Sequence, residues 1–352
     1  MSSASVAVVI HAAKDLRLEN RDVRDLGQDE VLIALRVGGI CGSDLHYYNH
    51  GGFGAIKLLQ PMVLGHEVAG EIVEFGSSVQ GLNLGQLVAV SPSRPCQACY
   101  YCLNGQQNHC LDMKFYGSAM PFPHIQGAFR SKLVAKASQC VPADGLSPAQ
   151  AAMAEPLAVC LHAVKQAGSL VGKTVLITGC GPIGCLTTLV ARRSGAARIV
   201  ATDISDQTLA IARECGADDV INTYTDPQML ERFEKDKGQI DVQLECSGAQ
   251  SALASGVECL RPRGTLVQLG LGGDMTVPMQ ALTAKEIELR GSFRFHSEFA
   301  VAVEMMRSGL LNVDHLVTHS FEVGEAVTAF EVASDRSRSM KVQLTFPDND
   351  NG

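Results

Sequence analysis

Apolar and polar residues alternate along the first third of the chain, in VAVVI (6–10), EVLIALRVGGI (30–40), GHEVAGEIVEFG (65–76), QLVAV (86–90) and FRSKLVAK (129–136). That two-residue period, broken by glycine-bearing turns, predicts a mostly antiparallel β region from Val6 to about Lys136. In LSPAQAAMAEPLAVCLHAVKQAG (146–168) the period lengthens to 3.6 and predicts two helical stretches. The stretch GKTVLITGCGPIGCLTTLVARRSG (172–195) then reads as a buried strand, a glycine turn and a helix, and the rhythm repeats. RIVATD is a strand, DQTLAIAREC a helix, DDVIN a strand, PQMLERFEK a helix, DVQLECSG a strand, SALASGVECL a helix, and GTLVQLG and KEIELRGS are strands. Strands separated by crossover helices make a doubly wound parallel sheet, so the fold class is α/β with a mostly β companion domain. From about Phe293 only one helix (EFAVAVEMMRSG) and closing strands such as KVQLTF remain, too little for a core of their own. The expected division is therefore 1–155 rejoined by 293–352, and 156–292 between them.

A 352-residue chain exceeds the size at which one hydrophobic core keeps growing, which supports two domains. The formal charge of −8, with no basic run, removes the footprint of a nucleic-acid or membrane-surface binder and leaves small-molecule chemistry. The segment MSSASVAVVIHAAKDL lacks a basic region and a long apolar run, and no stretch approaches the roughly 20 apolar residues of a membrane span. Twelve cysteines without an export signal are expected as reduced thiols in the cytoplasm, some of them bound to metal.

TVLITGCGPIG spaces Gly179, Gly181 and Gly184 as G-x-G-x-x-G between a strand and a helix. The first glycine permits the tight turn, the second lets backbone N–H groups approach a pyrophosphate, and the helix starting near Pro182 aims its positive end at that phosphate. Pro182 and Ile183 in the same turn, with Gly270 and Phe293 further on, complete the candidate cofactor contacts. Asp203 ends the next strand, roughly 20 residues on, where an acid accepts hydrogen bonds from ribose hydroxyls. It would repel a 2′-phosphate, which favours NAD over NADP, although Arg213 keeps the second cofactor open. A bare glycine turn with no ligand is the plainer alternative, disfavoured by strand, helix and acid together.

PCQACYYCLNGQQNHC holds Cys96, Cys99, Cys102 and Cys110, whose short spacers let four thiolates converge on one tetrahedral zinc with no open position. An iron–sulfur cluster is disfavoured because the bacterial run would continue with a three-residue spacer and Cys-Pro. The other cysteines, such as Cys180, Cys246 and Cys259, read as small buried residues. Cys41 in CGSDLHYYNH, His66 and Glu67 in GHEVAG, and Glu155 in AEPLAV supply a thiolate, an imidazole and carboxylates that suit a second zinc with a free coordination position. Taken singly, each is more simply a buried filler, a hydrogen-bonded turn residue or half of an ion pair.

The order CGSDLH, GHE, four-cysteine lobe, EPL, GCGPIG resembles the zinc-dependent medium-chain dehydrogenase/reductase superfamily over essentially the whole chain. Glutamates at 67 and 155, where the alcohol dehydrogenase branch has a cysteine at the later position, resemble its polyol dehydrogenase branch. The resemblance implies a GroES-like catalytic domain beside a Rossmann NAD-binding domain. It also implies one catalytic zinc held by Cys41, His66 and Glu67, one structural zinc in the lobe, and a dimer or tetramer. Glu155 would bind the zinc water or exchange with Glu67. The implied reaction oxidises a secondary alcohol of a sugar acid or polyol with NAD. Ser43 would take the hydroxyl proton, His46 would pass it on through the cofactor ribose, and Asp44 would accept the far N–H of His66. Ser43 and Asp44 have turn capping as their plainer role. Tyr47 and Arg294 match polyol-binding positions, and Phe295 stands where a tyrosine is frequent. Arg294 is expected to answer a sugar acid's carboxylate, with His124 or His296 as helpers. A non-catalytic zinc-binding module would explain the lobe but leave Cys41 and the glycine turn without a role.

Overall fold

Glu30–Gly39 is the strand on which the first unit is assembled, because its alternate residues Val31, Ile33, Leu35 and Val37 are all buried. Glu67–Phe75 lies antiparallel along one edge, with Gly39 opposite Glu67 and Val31 opposite Phe75. Leu87–Val90 and Cys140–Pro142 continue the sheet outward on that side. Two strands share the other edge: Lys132–Lys136 pairs with Glu30–Ala34, and Lys341–Thr345 with Val37–Gly39. The last strand, Val317–Glu322, is parallel to Lys341–Thr345. The core on this sheet includes Ile33, Leu35, Val68, Ile72, Val88, Leu133, Phe330 and Leu344. A smaller antiparallel sheet joins Ala4–Ala12, Asp15–Asp22 and Met62–Val63.

The computed structural model describes residues 4–347. The chain leaves the first unit after Glu155, forms the second from Pro156 to Glu298, and resumes the first at Phe299. The return thus comes a few residues later than 293. Glu298 holds the intervening segment to the second unit, accepting from Lys165 Nζ at 2.9 Å and from the backbone N–H of His296 at 3.1 Å.

In the second unit six parallel strands run in the order Asp219–Asn222, Arg198–Asp203, Thr174–Thr178, Ile240–Glu245, Leu260–Gln268, Glu288–Gly291. In sequence order this is 3-2-1-4-5-6, the doubly wound arrangement, whose direction of winding reverses between Thr174–Thr178 and Ile240–Glu245. The helix expected over 227–235 is shorter, spanning Gln228–Glu231. Arg232 turns to Asp219 at 2.8 Å, and left-handed Asp236 and Lys237 bend the chain toward the strand at Ile240. Among the described residues no helix is long and apolar enough to cross a membrane.

Glu30 ties the start of the first unit's central strand to the preceding loop. Its buried carboxylate takes Arg24 Nη1 at 2.6 Å, Arg24 Nη2 at 2.8 Å and the Gly27 N–H at 2.9 Å. The Arg24 bonds outweigh burial and bring its pKa from 4.5 down to about 2. A carboxyl depressed in the folded state contributes stability above its unfolded pKa and loses it as pH falls toward the folded one. Glu30→Gln is expected to cost about 1–3 kcal/mol at neutral pH, with the loss shrinking between pH 4.5 and about 2. Urea unfolding at a series of pH values checks both statements.

Candidate active site and metal centres

Cys41 caps the helix Gly42–His50 that follows the central strand. Asp44 at its third position is fully buried, and its carboxylate accepts the Cys41 N–H at 3.0 Å and the Gly65 N–H at 3.2 Å. One acid thus fastens two stretches that are far apart in sequence, and each carries a metal-donor candidate. Asp44 Oδ1 is also 3.7 Å from His66 Nδ1, a buried nitrogen with no hydrogen-bond partner. The other ring nitrogen, Nε2, is 3.5 Å from Ser43 Oγ. Asp44 therefore both caps the helix and faces His66.

Glu67 follows His66 and starts the strand opposite Gly39, and a Cβ at Gly39 would come within 2.2 Å of Glu67 Oε2, so glycine there makes room for the carboxylate. One donor atom each from Cys41, His66 and Glu67 lies within 4.8 Å of the others. Lys341, which begins the neighbouring strand and is 3% exposed, holds both oxygens of Glu67 at 2.8 Å and reaches the Ile40 carbonyl at 3.2 Å. Glu155 is buried beside them in the first turn of Ala154–Ala167 and stands outside the 4.8 Å group.

The electrostatics of this spot are lopsided. Burial, then Glu67, pushes the Cys41 thiol up to about 12. Burial, reinforced by Glu67 and Cys41, pushes Glu155 up to about 8, and burial also raises Asp44. Against the burial that disfavours its charge, Glu67 and Cys41 raise the Lys341 ammonium. Carboxyls and a thiol thus gather near a single ammonium, and a divalent cation would balance what Lys341 leaves uncompensated. A soft thiol, an imidazole and a carboxylate form a donor set for zinc.

The four-cysteine lobe carries the other compact donor group among the described residues: the sulfurs of Cys96, Cys99, Cys102 and Cys110 all lie within 4.8 Å. Cys96 and Cys102 are 4.0 Å apart, and no cysteine is disulfide-bonded. Four sulfurs about 2.3 Å from one zinc would sit about 3.8 Å from each other. Backbone N–H groups of Cys99 and Ala98 point at Cys96 Sγ, and that of Cys96 at Cys110 Sγ, at 3.2 to 3.5 Å. Donation from the backbone at Leu111 and Cys102 brings Cys99 down to about 6.

In the second unit Gly179 is left-handed (φ +85°), and a Cβ at Gly184 would lie 1.8 Å from the Gly179 carbonyl oxygen. A Cβ at Gly181 would meet nothing within 4 Å, leaving open space at the N-cap of Pro182–Arg193, where a pyrophosphate cradle needs it. Asp203 sits against this turn, accepting the Cys180 N–H at 2.6 Å, and its other oxygen takes those of Ile204 and Ser205. Arg213 is exposed near the end of Asp206–Glu214. Gly270 packs against Gly248 so closely that a Cβ would approach its nitrogen to 2.1 Å.

Residues 27–145 match the alcohol dehydrogenase GroES-like domain, and residues 182–308 match the zinc-binding dehydrogenase family. The chain is 44% identical to the L-idonate 5-dehydrogenase (NAD(P)(+)) of Escherichia coli K12, over 92% of this chain and 93% of that one. The chain belongs to the zinc-binding dehydrogenases. It is also 36% identical to the sorbitol dehydrogenase of Homo sapiens, over 98% of this chain and 97% of that one. The crystal structure of L-idonate 5-dehydrogenase from Escherichia coli superposes with a TM-score of 0.95 at 41% identity, covering 98% of this chain and 99% of that one.

Some residues of this zinc-binding dehydrogenase stand elsewhere than expected. Tyr47 is only 2% exposed, and its hydroxyl accepts the Ala119 N–H at 3.0 Å. His124 is not free to help bind an acid, because Leu59 N–H is 2.9 Å from its Nε2 and the Pro121 carbonyl 2.9 Å from its Nδ1. Phe295 is fully buried. Arg294 has left-handed backbone (φ +55°) and its guanidinium lies 4.9 Å from the centre of the half-exposed Phe293 ring. His296 is partly buried, and its pKa is lowered by burial. His46, exposed on the same helix face as Ser43 and one turn on, is held below its usual pKa by burial and by His50 and Arg336.

Two organising residues escaped the sequence reading. Lys341 opens an ordinary closing strand, 274 positions from its partner. Glu245, fully buried where the winding reverses, accepts the backbone N–H of Ser247 at 2.8 Å and of Gly248 at 3.0 Å, and Gln268 Nε2 at 2.5 Å. It fastens the ends of two adjacent strands, and only the turn ECSG hints at it.

Removing Lys341 leaves Glu67 buried without its counter-charge. Lys341→Met is expected to destabilise the chelator-treated protein by about 3–5 kcal/mol. Added zinc should restore more stability to the variant than to the parent. Thermal unfolding with and without zinc reads both effects.

Proposed function

We propose that this dehydrogenase oxidises a secondary alcohol of a sugar acid, L-idonate to 5-keto-D-gluconate, with NAD. Cys41, His66 and Glu67 would hold a catalytic zinc, and Cys96, Cys99, Cys102 and Cys110 a structural one. The observation that carries the reading is the buried convergence of thiol, imidazole and carboxylate beside one ammonium. The 44% identity to the Escherichia coli L-idonate 5-dehydrogenase supports the substrate.

Zinc held by Cys41, His66 and Glu67 would supply Lewis acidity that makes a substrate hydroxyl easier to ionise, and NAD would supply the hydride acceptor. The remaining work falls to the chain. Lys341 holds both oxygens of Glu67 and fixes their direction, and Asp44 faces His66. Ser43 Oγ is the hydroxyl beside the imidazole and takes the proton, which His46 hands to solvent. Glu155 supplies a second carboxylate at the donor group's edge. The turn Gly179–Gly184, with Pro182 and Ile183, receives the pyrophosphate, and Asp203, Gly270 and Phe293 line the rest of the cofactor site. Arg294 is the counter-ion that a sugar acid needs and a neutral polyol does not.

With NAD, absorbance at 340 nm should rise faster with L-idonate than with sorbitol, xylitol or L-threonine. Arg294→Ala should raise KM for L-idonate about 10- to 100-fold and leave sorbitol nearly unchanged. An equal rise for both substrates would remove Arg294 as the counter-ion, and the absence of L-idonate turnover would remove the substrate.

The lowered pKa of His46 places its neutral form above a point below pH 6.5. A relay base loses function as pH falls through its pKa. His46→Ala is expected to cut kcat about 100-fold, to erase the acid limb of the kcat–pH profile, and to be partly rescued by added imidazole.

A further inference from the structure

The first unit contains a cavity of about 250 Å³ whose walls include Arg24, Arg94, Tyr116, Gln126, Gly127 and Arg130. None of these residues belongs to a metal-donor group or to the cofactor turn. Three guanidinium groups share the cavity, in a chain of net charge −8. Arg24 is spent on Glu30, at 2.6 and 2.8 Å. The other two form no ion pair with a carboxylate among the described residues, and Asp22 shares the adjoining pocket with Arg130 and Lys132. Arg130 donates only through Nε, to the Gly127 carbonyl at 3.2 Å, which leaves both terminal nitrogens of its fork without a protein acceptor. Arg94 stands at the end of the short strand Ser93–Arg94 and makes no side-chain hydrogen bond or ion pair among the described residues. Between them the Tyr116 hydroxyl has a single long bond, 3.4 Å to Gln139 Oε1.

Burial disfavours the charge on Arg130, and its charged neighbours Arg21 and Arg24 are cations that add to the cost. A half-buried guanidinium set among other cations and without an ion-pair partner favours an anionic occupant at the cavity wall. Two free forks and a phenol hydroxyl match a tetrahedral dianion better than a single carboxylate, since each fork takes two oxygens. Size narrows the class further. Drug-sized ligands fill about 300–1,000 Å³, so this cavity is small for a nucleotide and roomy for a phosphate bearing a short carbon chain.

We propose that Arg94, Arg130 and Tyr116 form a binding site for a small phosphate monoester, separate from the zinc and dinucleotide sites. Its wall is continuous with the segment that delivers His66. Gln126 Oε1 accepts the Val63 N–H at 2.9 Å, the Gly127 N–H reaches the Val63 carbonyl at 2.7 Å, and the Ala128 N–H reaches the Gly65 carbonyl at 2.8 Å. Phe115, adjacent to Tyr116, has its ring centre 5.7 Å from that of His66. An occupant gripping Arg130 and Tyr116 therefore stiffens the backing of the catalytic donor group.

The test is thermal unfolding of the zinc-loaded enzyme with saturating NAD, so that the glycine turn is filled, titrated with inorganic phosphate and with glycerol phosphate against chloride at equal ionic strength. Both phosphates should raise the unfolding midpoint saturably, with glycerol phosphate the tighter. Arg94→Met should weaken both about tenfold, and the double variant Arg94→Met/Arg130→Met should abolish the shift. Should the double variant fail to fold, Arg94→Met alone decides by titration calorimetry. No saturable shift in the parent, an unchanged affinity in Arg94→Met, or binding of inorganic phosphate without glycerol phosphate would overturn the assignment.

Discussion

The structure turns on one electrostatic constraint: buried Glu67 and Glu155 and the half-buried Cys41 surround a single ammonium, that of Lys341, with buried Asp44 beside Cys41 and Glu67. Such a cluster is costly in a low-dielectric interior unless further positive charge is bound there. Much of the first unit's local architecture serves it. Gly39 clears space for Glu67, Asp44 joins the start of the helix Gly42–His50 to the turn before His66, and Lys341 is delivered by a strand from the far end of the chain. The return of residues 299–347 to the first unit therefore completes the donor site as well as the sheet.

The second unit expresses a different constraint. A parallel sheet wound 3-2-1-4-5-6 opens a crevice where its direction reverses, and both strands that flank the reversal end in ordered turns. After Thr178 the glycine turn leaves open space at Gly181, while Glu245 ends its strand by gathering the backbone of Ser247 and Gly248. Asp203, on the next strand, is held against the glycine turn by the Cys180 N–H.

What the sequence disclosed follows from how local each signal is. Zinc-donor residues are few in kind and closely spaced, so Cys96 to Cys110 and the pair His66–Glu67 are legible as chemistry, and the glycine turn is legible because its spacing encodes a backbone shape. The alternating and 3.6-residue periods locate nearly every strand and helix. Lys341 was invisible because its meaning lies in a partner 274 residues away. The hydrogen bond between the Tyr47 hydroxyl and the Ala119 N–H was equally invisible, because it joins residues 72 positions apart. The helix expected over 227–235 is present but ends at Glu231, because periodicity locates a helix better than it locates its end.

The central claim is that the buried group of Cys41, His66 and Glu67 exists to hold zinc. Crystals of the purified enzyme, with diffraction recorded on both sides of the zinc absorption edge, address it directly. The account predicts two anomalous peaks per chain, one among Cys41, His66 and Glu67 and one among the four lobe cysteines. A catalytically active crystal with no peak beside Cys41 would contradict it.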